Sequence, residues 1–422
     1  MRKALAIILL LATLNSLCSC GQSSIPDTID YIPGQDMQYF QLTECEKTAL
    51  MQETENGCYF YHDRFIYYYD NKTGQIDPLC SRPGCLHEKE TDLNKKQECC
   101  AYLDSMRYTT RKTMLELPVS LMLYKENLYV CYELSFSAEN AGESPCAVVR
   151  IACDGSSKDR IYEDNRMMYS MIHRGYLYYY AIEYPIDEKT GEVRVNNCLY
   201  RINLEGSIKK ELIFKPDPAT PDNMGYIRGY GNYILFDTNE RAQTVDDTDL
   251  HYGLYNIHTG ETVFVDELCM HPTCYNKKLY FRNPGGNYDY YAQVPLEYAD
   301  LDGTDRGIAL EEITEGTYLM ADGKYLYINY GASLRIQFYD DRKIEDEEVL
   351  FEAYDKDMNL IDEFNIPRTN WTMMDPPIGG EKYLYLPFED IETGEWGLLV
   401  WDKSEIGTLH RKTVSAAKVL GQ

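Results

Sequence analysis

The sequence predicts an all-β fold, a seven-bladed β-propeller, because one strand phrase recurs along the chain. In each copy an aromatic strand is followed by a second apolar strand and then by an acidic or glycine-containing turn. A repeat of roughly 45–60 residues built only from strands is typical of a propeller. The copies of the turn-bearing strand are FIYYYDNKTG (65–74), VVRIACDGS (148–156), LYRINLEGS (199–207), LYNIHTGE (254–261), LEYADLDGT (296–304), LFEAYDKDMN (350–359) and LLVWDKSEIG (398–407).

The preceding aromatic strand of each repeat lies beside a Gly, Asn or Lys turn. Tyr and other aromatic residues suit a strand that is covered on both faces, so we expect these tyrosines to form the core. With four strands to a blade, the propeller occupies residues 47–414, and residues 415–422 form a tail. Three longer excursions also allow six or eight blades. The aromatic strands are NGCYFYH (56–62), ENLYVCY (126–132), RGYLYYY (174–180), GNYILF (231–236), KKLYF (277–281), GKYLYINY (323–330) and EKYLYLPF (381–388).

The first residues read as an export signal rather than as part of the fold. Arg2 and Lys3 precede a short apolar run, which is the plan of a secretory signal peptide. The run ends in LCSCG (17–21), which resembles the bacterial lipobox. That resemblance implies a signal peptide at 1–19, cleavage before Cys20 and lipid on its thiol, with a plain secreted protein as the alternative. We therefore expect an extracytoplasmic protein, anchored to a bacterial membrane through Cys20 and a tether over 20–46.

The charge of the chain excludes one class of partner. The formal net charge is -27. Such a surface repels phosphate backbones, so nucleic acid is not expected as a partner. An acidic surface also keeps a protein soluble, and we favour this explanation of the charge; a cationic or neutral ligand is allowed but not implied.

Cysteines supply the most specific local signal. The pattern Leu-Cys-x-x-Pro-x-Cys occurs twice, at 79–85 and at 268–274. Each copy follows a strand that begins after Thr-Gly, so we interpret the two copies as one loop used in two blades. A proline-bearing turn can bring two cysteines within bridging distance, and exported proteins commonly carry disulfides. We therefore favour disulfides in these loops, involving Cys80 with Cys85 and Cys269 with Cys274.

The first copy also permits a metal site. It continues to His87 and reaches Cys99 and Cys100 further along the chain. Together with Cys80 and Cys85, His87 and one of these cysteines satisfy a tetrahedral zinc ion by residue type and number. The spacing is not a standard zinc-finger spacing, and free thiols are a third alternative.

Catalytic motifs are absent from the sequence. It contains no Gly-x-Ser-x-Gly, no His-Glu-x-x-His, no phosphate-binding glycine loop and no dinucleotide fingerprint. We therefore expect no cofactor, name no catalytic residue and favour a protein that is not an enzyme.

Taken together, the leader, Cys20, the Tyr-rich strands, the Asp-Gly turns and the Leu-Cys-x-x-Pro-x-Cys loop resemble bacterial lipoproteins with TolB-like or YVTN-like propellers. The function of that group is mostly unknown. The resemblance implies a surface-tethered binding or scaffolding module for a protein, peptide or glycan. Two alternatives stay open: an extracytoplasmic hydrolase or lyase that acts on polysaccharide or peptide at the propeller mouth, and a metal- or redox-responsive protein that uses its cysteine loops.

Overall fold

The fold was analysed in a computed structural model of the chain. Among the residues that it describes, no helix is long and apolar enough to cross a membrane. The described residues are 25–37, 51–62, 64–103, 120–133, 145–165, 167–183, 191, 196–206, 208–215, 227–238, 251–265, 270–282, 292–314, 317–330, 349–365, 371–373, 378–379, 382–390, 396–407 and 414–418.

The described strands form seven antiparallel sheets. Six are meanders of four consecutive strands, and in the seventh two short strands both pair with the strand that follows them. Sheet 1 contains β1 (Met51–Thr54), β2 (Gly57–His62), β3 (Phe65–Asp70) and β4 (Ile76–Pro78). Sheet 2 contains β5 (Ser120–Tyr124), β6 (Asn127–Glu133), β7 (Pro145–Ala152) and β8 (Lys158–Asn165). Sheet 3 contains β9 (Met167–His173), β10 (Tyr176–Glu183), β11 (Asn196–Asn203) and β12 (Lys210–Phe214). Sheet 4 contains β13 (Ile227–Tyr230), β14 (Tyr233–Thr238), β15 (His251–Asn256) and β16 (Thr262–Val265).

The remaining three sheets complete the series. Sheet 5 contains β17 (Met270–Tyr275), β18 (Lys278–Arg282), β19 (Gln293–Asp300) and β20 (Gly307–Thr314). Sheet 6 contains β21 (Tyr318–Ala321), β22 (Leu326–Asn329), β23 (Val349–Tyr354) and β24 (Leu360–Asn365). Sheet 7 contains β25 (Trp371–Met373), β26 (Ile378–Gly379), β27 (Tyr383–Asp390), β28 (Trp396–Asp402) and β29 (Val414–Lys418). The helical elements are the α-helix α1 (Leu93–Gln97) and two short 3-10 turns, His87–Lys89 and Lys403–Glu405.

Neighbouring sheets touch one another in chain order, chiefly through their first strands. Strand β5 contacts β1 and β9, β9 contacts β13, and β17 contacts β21. Sheets 4 and 5 are joined by a 2.6 Å hydrogen bond from Arg228 Nη1 to Thr273 Oγ1, and sheets 6 and 7 by the buried ion pair of Lys403 with Asp322. Strand β26 of the last sheet contacts β1 of the first. The prediction of an all-β propeller is therefore confirmed.

The tyrosine-rich strands lie in the core, as expected. Tyr178, Tyr179 and Tyr180 of β10 are all fully buried. A buried phenol needs a partner for its hydroxyl, and the Tyr179 hydroxyl bonds to the Tyr162 hydroxyl at 2.9 Å and to Asp164 Oδ2 at 2.8 Å. Each sheet has a neighbouring sheet on each of its two faces. Since alternate residues of a strand point to opposite faces, they are buried against different neighbours.

One end of every sheet carries two kinds of turn. In an antiparallel meander the first-to-second and third-to-fourth connections lie at the same end. Glycines with positive φ occupy several of these turns, including Gly175 between β9 and β10 and Gly260 between β15 and β16. We call the surface that these connections form the turn face.

One testable consequence concerns Gly57, the first residue of β2. A Cβ atom at this position would lie 1.8 Å from the carbonyl oxygen of Tyr69 on the paired strand β3. Because that contact is with backbone, it cannot be relieved by a side-chain rotation, and Gly57→Ala should lower the free energy of unfolding by about 1–3 kcal/mol. Differential scanning calorimetry should show a melting temperature lowered by a few degrees. Gly206→Ala is the matched control, because its Cβ would meet only Asn203 Nδ2 at 3.9 Å; equal effects at the two sites would contradict the packing explanation.

Candidate functional site

Four of the residues singled out from the sequence meet in one cluster. The ligand atoms of Cys80, Cys85, His87 and Cys99 all lie within 4.8 Å of one another. His87 Nδ1 is 3.6 Å from the sulfur of Cys99. We call this set of four residues the thiol cluster. It lies at the outer edge of sheet 1, where the chain leaves β4.

Local turns bring the first three members together. The chain reverses over 82–85, where the Cys85 N–H donates to the Arg82 carbonyl at 3.3 Å. Gly84 adopts φ 74°, which a residue without a Cβ accepts at little cost. His87 also has a positive φ, 51°, at the start of the 3-10 turn. Such a conformation is uncommon for histidine, and it carries the imidazole back toward the sulfur atoms.

The fourth member arrives through α1. The Asp92 carboxylate caps this helix by accepting a hydrogen bond from the Asn94 N–H at 3.0 Å. After the helix, the ammonium group of Lys158 on β8 donates to the carbonyl oxygens of Gln97, Cys99 and Tyr102, at 3.1, 2.7 and 2.7 Å. These three bonds fix the end of the loop against sheet 2, and Cys99 itself is fully buried.

The thiols in the cluster are not equivalent. Burial tends to raise the pKa of Cys80, but hydrogen bonds from the backbone N–H groups of Arg82 and Cys100 and from neighbouring thiols outweigh it, and the pKa is lowered. Burial, together with its contacts to Cys85 and Cys80, raises the pKa of Cys99 to about 12. The Cys80 thiol is therefore more acidic than the Cys99 thiol.

The prediction of disulfides in these loops is not supported. Every cysteine in the described part of the chain is a free thiol. The sulfur atoms of Cys80 and Cys85 do not form an isolated pair, because the Cys99 sulfur and the His87 imidazole lie within 4.8 Å of both. Cys100 follows Cys99 directly and is buried, but it is not a member of the cluster.

The two copies of the cysteine pattern also turn out to be structurally different. In the second copy, residues 270–275 form β17, the first strand of sheet 5, and Cys274 pairs with Leu279 across the ladder. Cys274 is buried, and that burial raises the pKa of its thiol to about 12. Cys269 lies outside the described residues. The interpretation of the two copies as one reused loop was therefore wrong, because the same letters serve a loop in one place and a strand in the other.

A second candidate site lies on the turn face and involves the predicted tether. Residues 25–37, which we expected to be part of a tether over 20–46, are docked against sheets 3 and 4. The Thr28 N–H donates to Asn232 Oδ1 at 2.9 Å, and the Met37 N–H donates to His173 Nδ1 at 3.1 Å. We call residues 25–37 the docked segment; Cys20 itself lies outside the described residues.

A buried arginine holds the docked segment in place. Arg174, in the turn between β9 and β10, forms an ion pair with Asp36 at 2.7 Å, and both side chains are almost completely buried. The same guanidinium donates to the carbonyl oxygens of Pro26 at 2.7 Å and Asp30 at 3.2 Å. The Arg174 side chain thus binds residues near both ends of the docked segment. Sequence periodicity could not indicate this contact.

A recess of about 590 Å³ opens beside the docked segment, between sheets 6 and 7. Tyr31 of the docked segment forms part of its wall. The Lys324 and Lys382 side chains border it at exposed positions, and the Lys324 ammonium lies 4.9 Å from the centre of the Tyr325 ring. We call this space the recess. The residues that line it are Tyr31, Asp322, Gly323, Lys324, Tyr325, Lys382, Tyr383, Asp402, Lys403 and Ser404.

The acidic groups of the recess are engaged within the fold. Asp322 accepts hydrogen bonds from the Tyr325 N–H at 2.7 Å and from the Tyr327 hydroxyl at 2.9 Å, in addition to its ion pair with Lys403. Asp402 accepts a bond from the Ser404 N–H at 2.8 Å, as the cap of a 3-10 turn. These carboxylates stabilise turns, while Lys324 and Lys382 are exposed at the border of the recess.

Comparison with known proteins supports the fold alone. No protein-family model matches the chain, and no curated protein matches it. Among solved structures it is similar to prolyl oligopeptidase B from Galerina marginata, with 11% identity and a TM-score of 0.50 over 87% of this chain and 51% of that one. It is also similar to the β-propeller domain of the Trilobed protease from Pyrococcus furiosus, with 10% identity and a TM-score of 0.45 over 67% and 80%.

A third similar structure is a putative TolB from Agrobacterium tumefaciens, with 10% identity and a TM-score of 0.32 over 61% of this chain and 78% of that one. The chain spans about half the length of the prolyl oligopeptidase and 44% of the acylaminoacyl peptidase from Pyrococcus horikoshii. At identities this low, the likeness is one of fold and carries no activity with it.

The docking of residues 25–37 should depend on pH through His173. This imidazole is fully buried, and burial lowers its pKa, with the nearby Asp36 carboxylate opposing the shift and Arg174 adding to it. Its Nδ1 accepts from Met37 and its Nε2 donates to the Gly231 carbonyl at 2.7 Å, so the neutral form is required. Because the unfolded histidine binds a proton more readily than the folded one, stability is full above about pH 6.5 and is lost as the pH falls below it.

Hydrogen exchange at residues 25–37 measures this effect. We expect exchange of the docked segment, corrected for its intrinsic pH dependence, to accelerate between pH 7.5 and pH 5. The exposed His258 also contacts the segment, with its Nε2 3.0 Å from the Pro26 carbonyl oxygen and 4.0 Å from Asp27 Oδ1. Neither contact requires a neutral imidazole, so His258→Ala should keep most of the pH response. Loss of the response in His258→Ala, with retention in His173→Gln, would reverse the assignment.

Proposed function

We propose that this chain is a lipid-anchored, extracytoplasmic propeller, with each of its seven sheets as one blade, that binds a protein segment in the recess on the turn face. The lipobox-like residues around Cys20 support the anchor, and the sheet-to-sheet contacts that run from β1 round to β26 support the blade count. The observation that carries the binding proposal is the recess itself, with its tyrosine walls and two exposed lysines in a strongly acidic chain.

The docked segment orients the recess toward the membrane. Four residues separate Cys20 from Ile25, and an extended chain over those five Cα-to-Cα steps spans about 18 Å at most. A lipid on Cys20 therefore holds the turn face close to the bilayer surface. A segment of another protein attached to the same membrane would meet the recess at high effective concentration.

The chemistry of the recess favours an acidic peptide segment. The ammonium groups of Lys324 and Lys382 would pair with carboxylates, and the rings of Tyr31, Tyr325 and Tyr383 would pack against apolar side chains. The net negative charge of the chain repels acidic partners that lack this local match, which gives selectivity. A hydrolase or lyase is less well supported, because the Asp322 and Asp402 carboxylates already accept hydrogen bonds that stabilise the fold.

Metabolic labelling with a radioactive fatty acid tests the anchor. The wild-type chain expressed in a bacterium should incorporate label, and Cys20→Ser should abolish it because the acceptor thiol is gone. Cys18→Ser is the matched control and should keep the label, since Cys18 does not fit the lipobox. Labelling that survives in Cys20→Ser, or that disappears in Cys18→Ser, would contradict the assignment of Cys20.

Fluorescence anisotropy with labelled peptides of equal length tests the recess. We expect peptides that combine acidic and apolar residues to bind, and basic or neutral peptides not to bind. The double variant Lys324→Ala with Lys382→Ala should weaken binding at least about tenfold, because two charge-assisted contacts are lost.

The control for this experiment is Lys72→Ala. Lys72 is an exposed lysine in the turn between β3 and β4, on the same face but outside the recess lining. It should leave the affinity unchanged. A peptide affinity that is unchanged in the Lys324→Ala, Lys382→Ala double variant would overturn the proposal. Binding of neutral oligosaccharides in place of peptides would also overturn it and would favour a glycan-binding module.

A further inference from the structure

We propose that Cys80, Cys85, His87 and Cys99 bind one zinc ion, which fastens the loop between sheet 1 and sheet 2. The proposal concerns a site at the outer edge of the propeller, remote in chain position from the recess lining, and it does not depend on the binding proposal. It stands on the geometry of the thiol cluster and on the composition of the loop that carries it.

The distances suit a tetrahedral ion. Zinc binds sulfur at about 2.3 Å and imidazole nitrogen at about 2.0–2.1 Å, so neighbouring ligand atoms of a tetrahedron lie about 3.5–3.8 Å apart. His87 Nδ1 and Cys99 Sγ are already separated by 3.6 Å. The largest separation within the cluster is 4.8 Å or less, so a contraction of about 1 Å at most completes the coordination.

The kind of ligand points to zinc among the common metals. Three sulfur atoms and one imidazole form the Cys₃His set of structural zinc sites, whereas calcium and magnesium require oxygen ligands. Four protein ligands fill a tetrahedron and leave no position for water or substrate. The site is therefore structural, and the ion would supply folding energy rather than catalysis.

A second observation comes from the loop between β4 and Cys99, which lacks a hydrophobic core of its own. Neither the 3-10 turn His87–Lys89 nor α1 contains a buried residue. Leu86 and Leu93 are 54% and 48% exposed. Small modules with so little apolar burial are usually held by a metal or by disulfides, and the described cysteines are free thiols.

The position of His87 separates the metal from a disulfide. A disulfide would use two of the three sulfur atoms and would leave the imidazole without a role. The uncommon positive φ of His87 and its approach to Cys99 are both explained if Nδ1 is a ligand. The backbone N–H groups of Arg82 and Cys100, which donate to the Cys80 sulfur, would also stabilise a metal thiolate.

The zinc would join two sheets. Ser81, next to Cys80, donates its N–H to the Gly155 carbonyl at 3.1 Å, in the turn between β7 and β8. At the other end of the loop, Lys158 of β8 holds the Cys99 carbonyl. An ion bound by both Cys80 and Cys99 would therefore cross-link two points of the loop that are each hydrogen-bonded to sheet 2.

Metal analysis of the full-length chain, purified in detergent without chelator, tests the proposal. We expect inductively coupled plasma mass spectrometry to find about one zinc ion per chain. Replacement with Co²⁺ should give thiolate-to-cobalt charge-transfer absorption and the intense visible bands of a tetrahedral site. Cys99→Ser and His87→Ala should each lower the zinc content at least several-fold after dialysis.

Cys100→Ser is the matched control, because the adjacent, buried Cys100 touches Cys80 but is not one of the four residues whose ligand atoms all lie within 4.8 Å of one another, and serine keeps a hydrogen-bonding group at this position. It should retain one zinc and the cobalt spectrum. Removal of zinc with a strong chelator should expose the chain to protease within residues 80–100, with cleavage sites elsewhere unchanged.

The outcomes that would overturn the proposal do not depend on whether a variant folds. A wild-type chain that is purified without zinc and fails to give the cobalt charge-transfer band would exclude the site. A disulfide between any two of Cys80, Cys85 and Cys99, found by peptide mass mapping of the wild type, would replace the metal with the covalent alternative. Loss of peptide binding at the recess, by contrast, would leave the zinc proposal unaffected.

Discussion

The structure depends on the burial of both faces of each sheet against its neighbours. A four-stranded meander has two apolar faces and cannot cover them alone. Seven sheets placed side by side, with the last in contact with the first, remove those faces from water. The recess lies at the turns that end the strands of sheets 6 and 7, and the thiol cluster lies beside the edge strand β4 of sheet 1.

Aromatic strands suit this arrangement because a tyrosine fills a wide gap between sheets while its hydroxyl reaches a polar partner. The hydroxyl of Tyr179 finds Asp164 on the neighbouring sheet. Charged side chains act in the same way at the turn face, where Arg174 and Asp322 each gather several backbone groups. Buried polar groups at the ends of the sheets thus fix the positions of the docked segment and of turns through hydrogen bonds, which apolar packing alone would not do.

The two candidate sites use this frame differently. The recess is formed by turns of sheets 6 and 7, with Tyr31 added from the docked segment. The thiol cluster belongs to an insertion whose ends pack against the core of sheet 1, while its two helical turns contain no buried residue. A ligand at the recess would therefore meet a surface that is already rigid, whereas the insertion needs its own source of order.

The sequence by itself determined the all-β propeller, the strand order within each repeat and the burial of the tyrosines, because local strand and turn preferences repeat in every copy. It also named all four residues of the thiol cluster, since residue type decides which side chains can be ligands. Only the tertiary structure decided that the ligand atoms of Cys80, Cys85, His87 and Cys99 all lie within 4.8 Å of one another, while Cys274 lies in a strand of sheet 5, because spacing along a chain does not fix direction in space. The docking of residues 25–37 could not be predicted from the sequence either, because a polar stretch with prolines is typical of a tether. Its binding partner, the buried Arg174, lies far away in the chain and is brought beside Asp36 only by the fold.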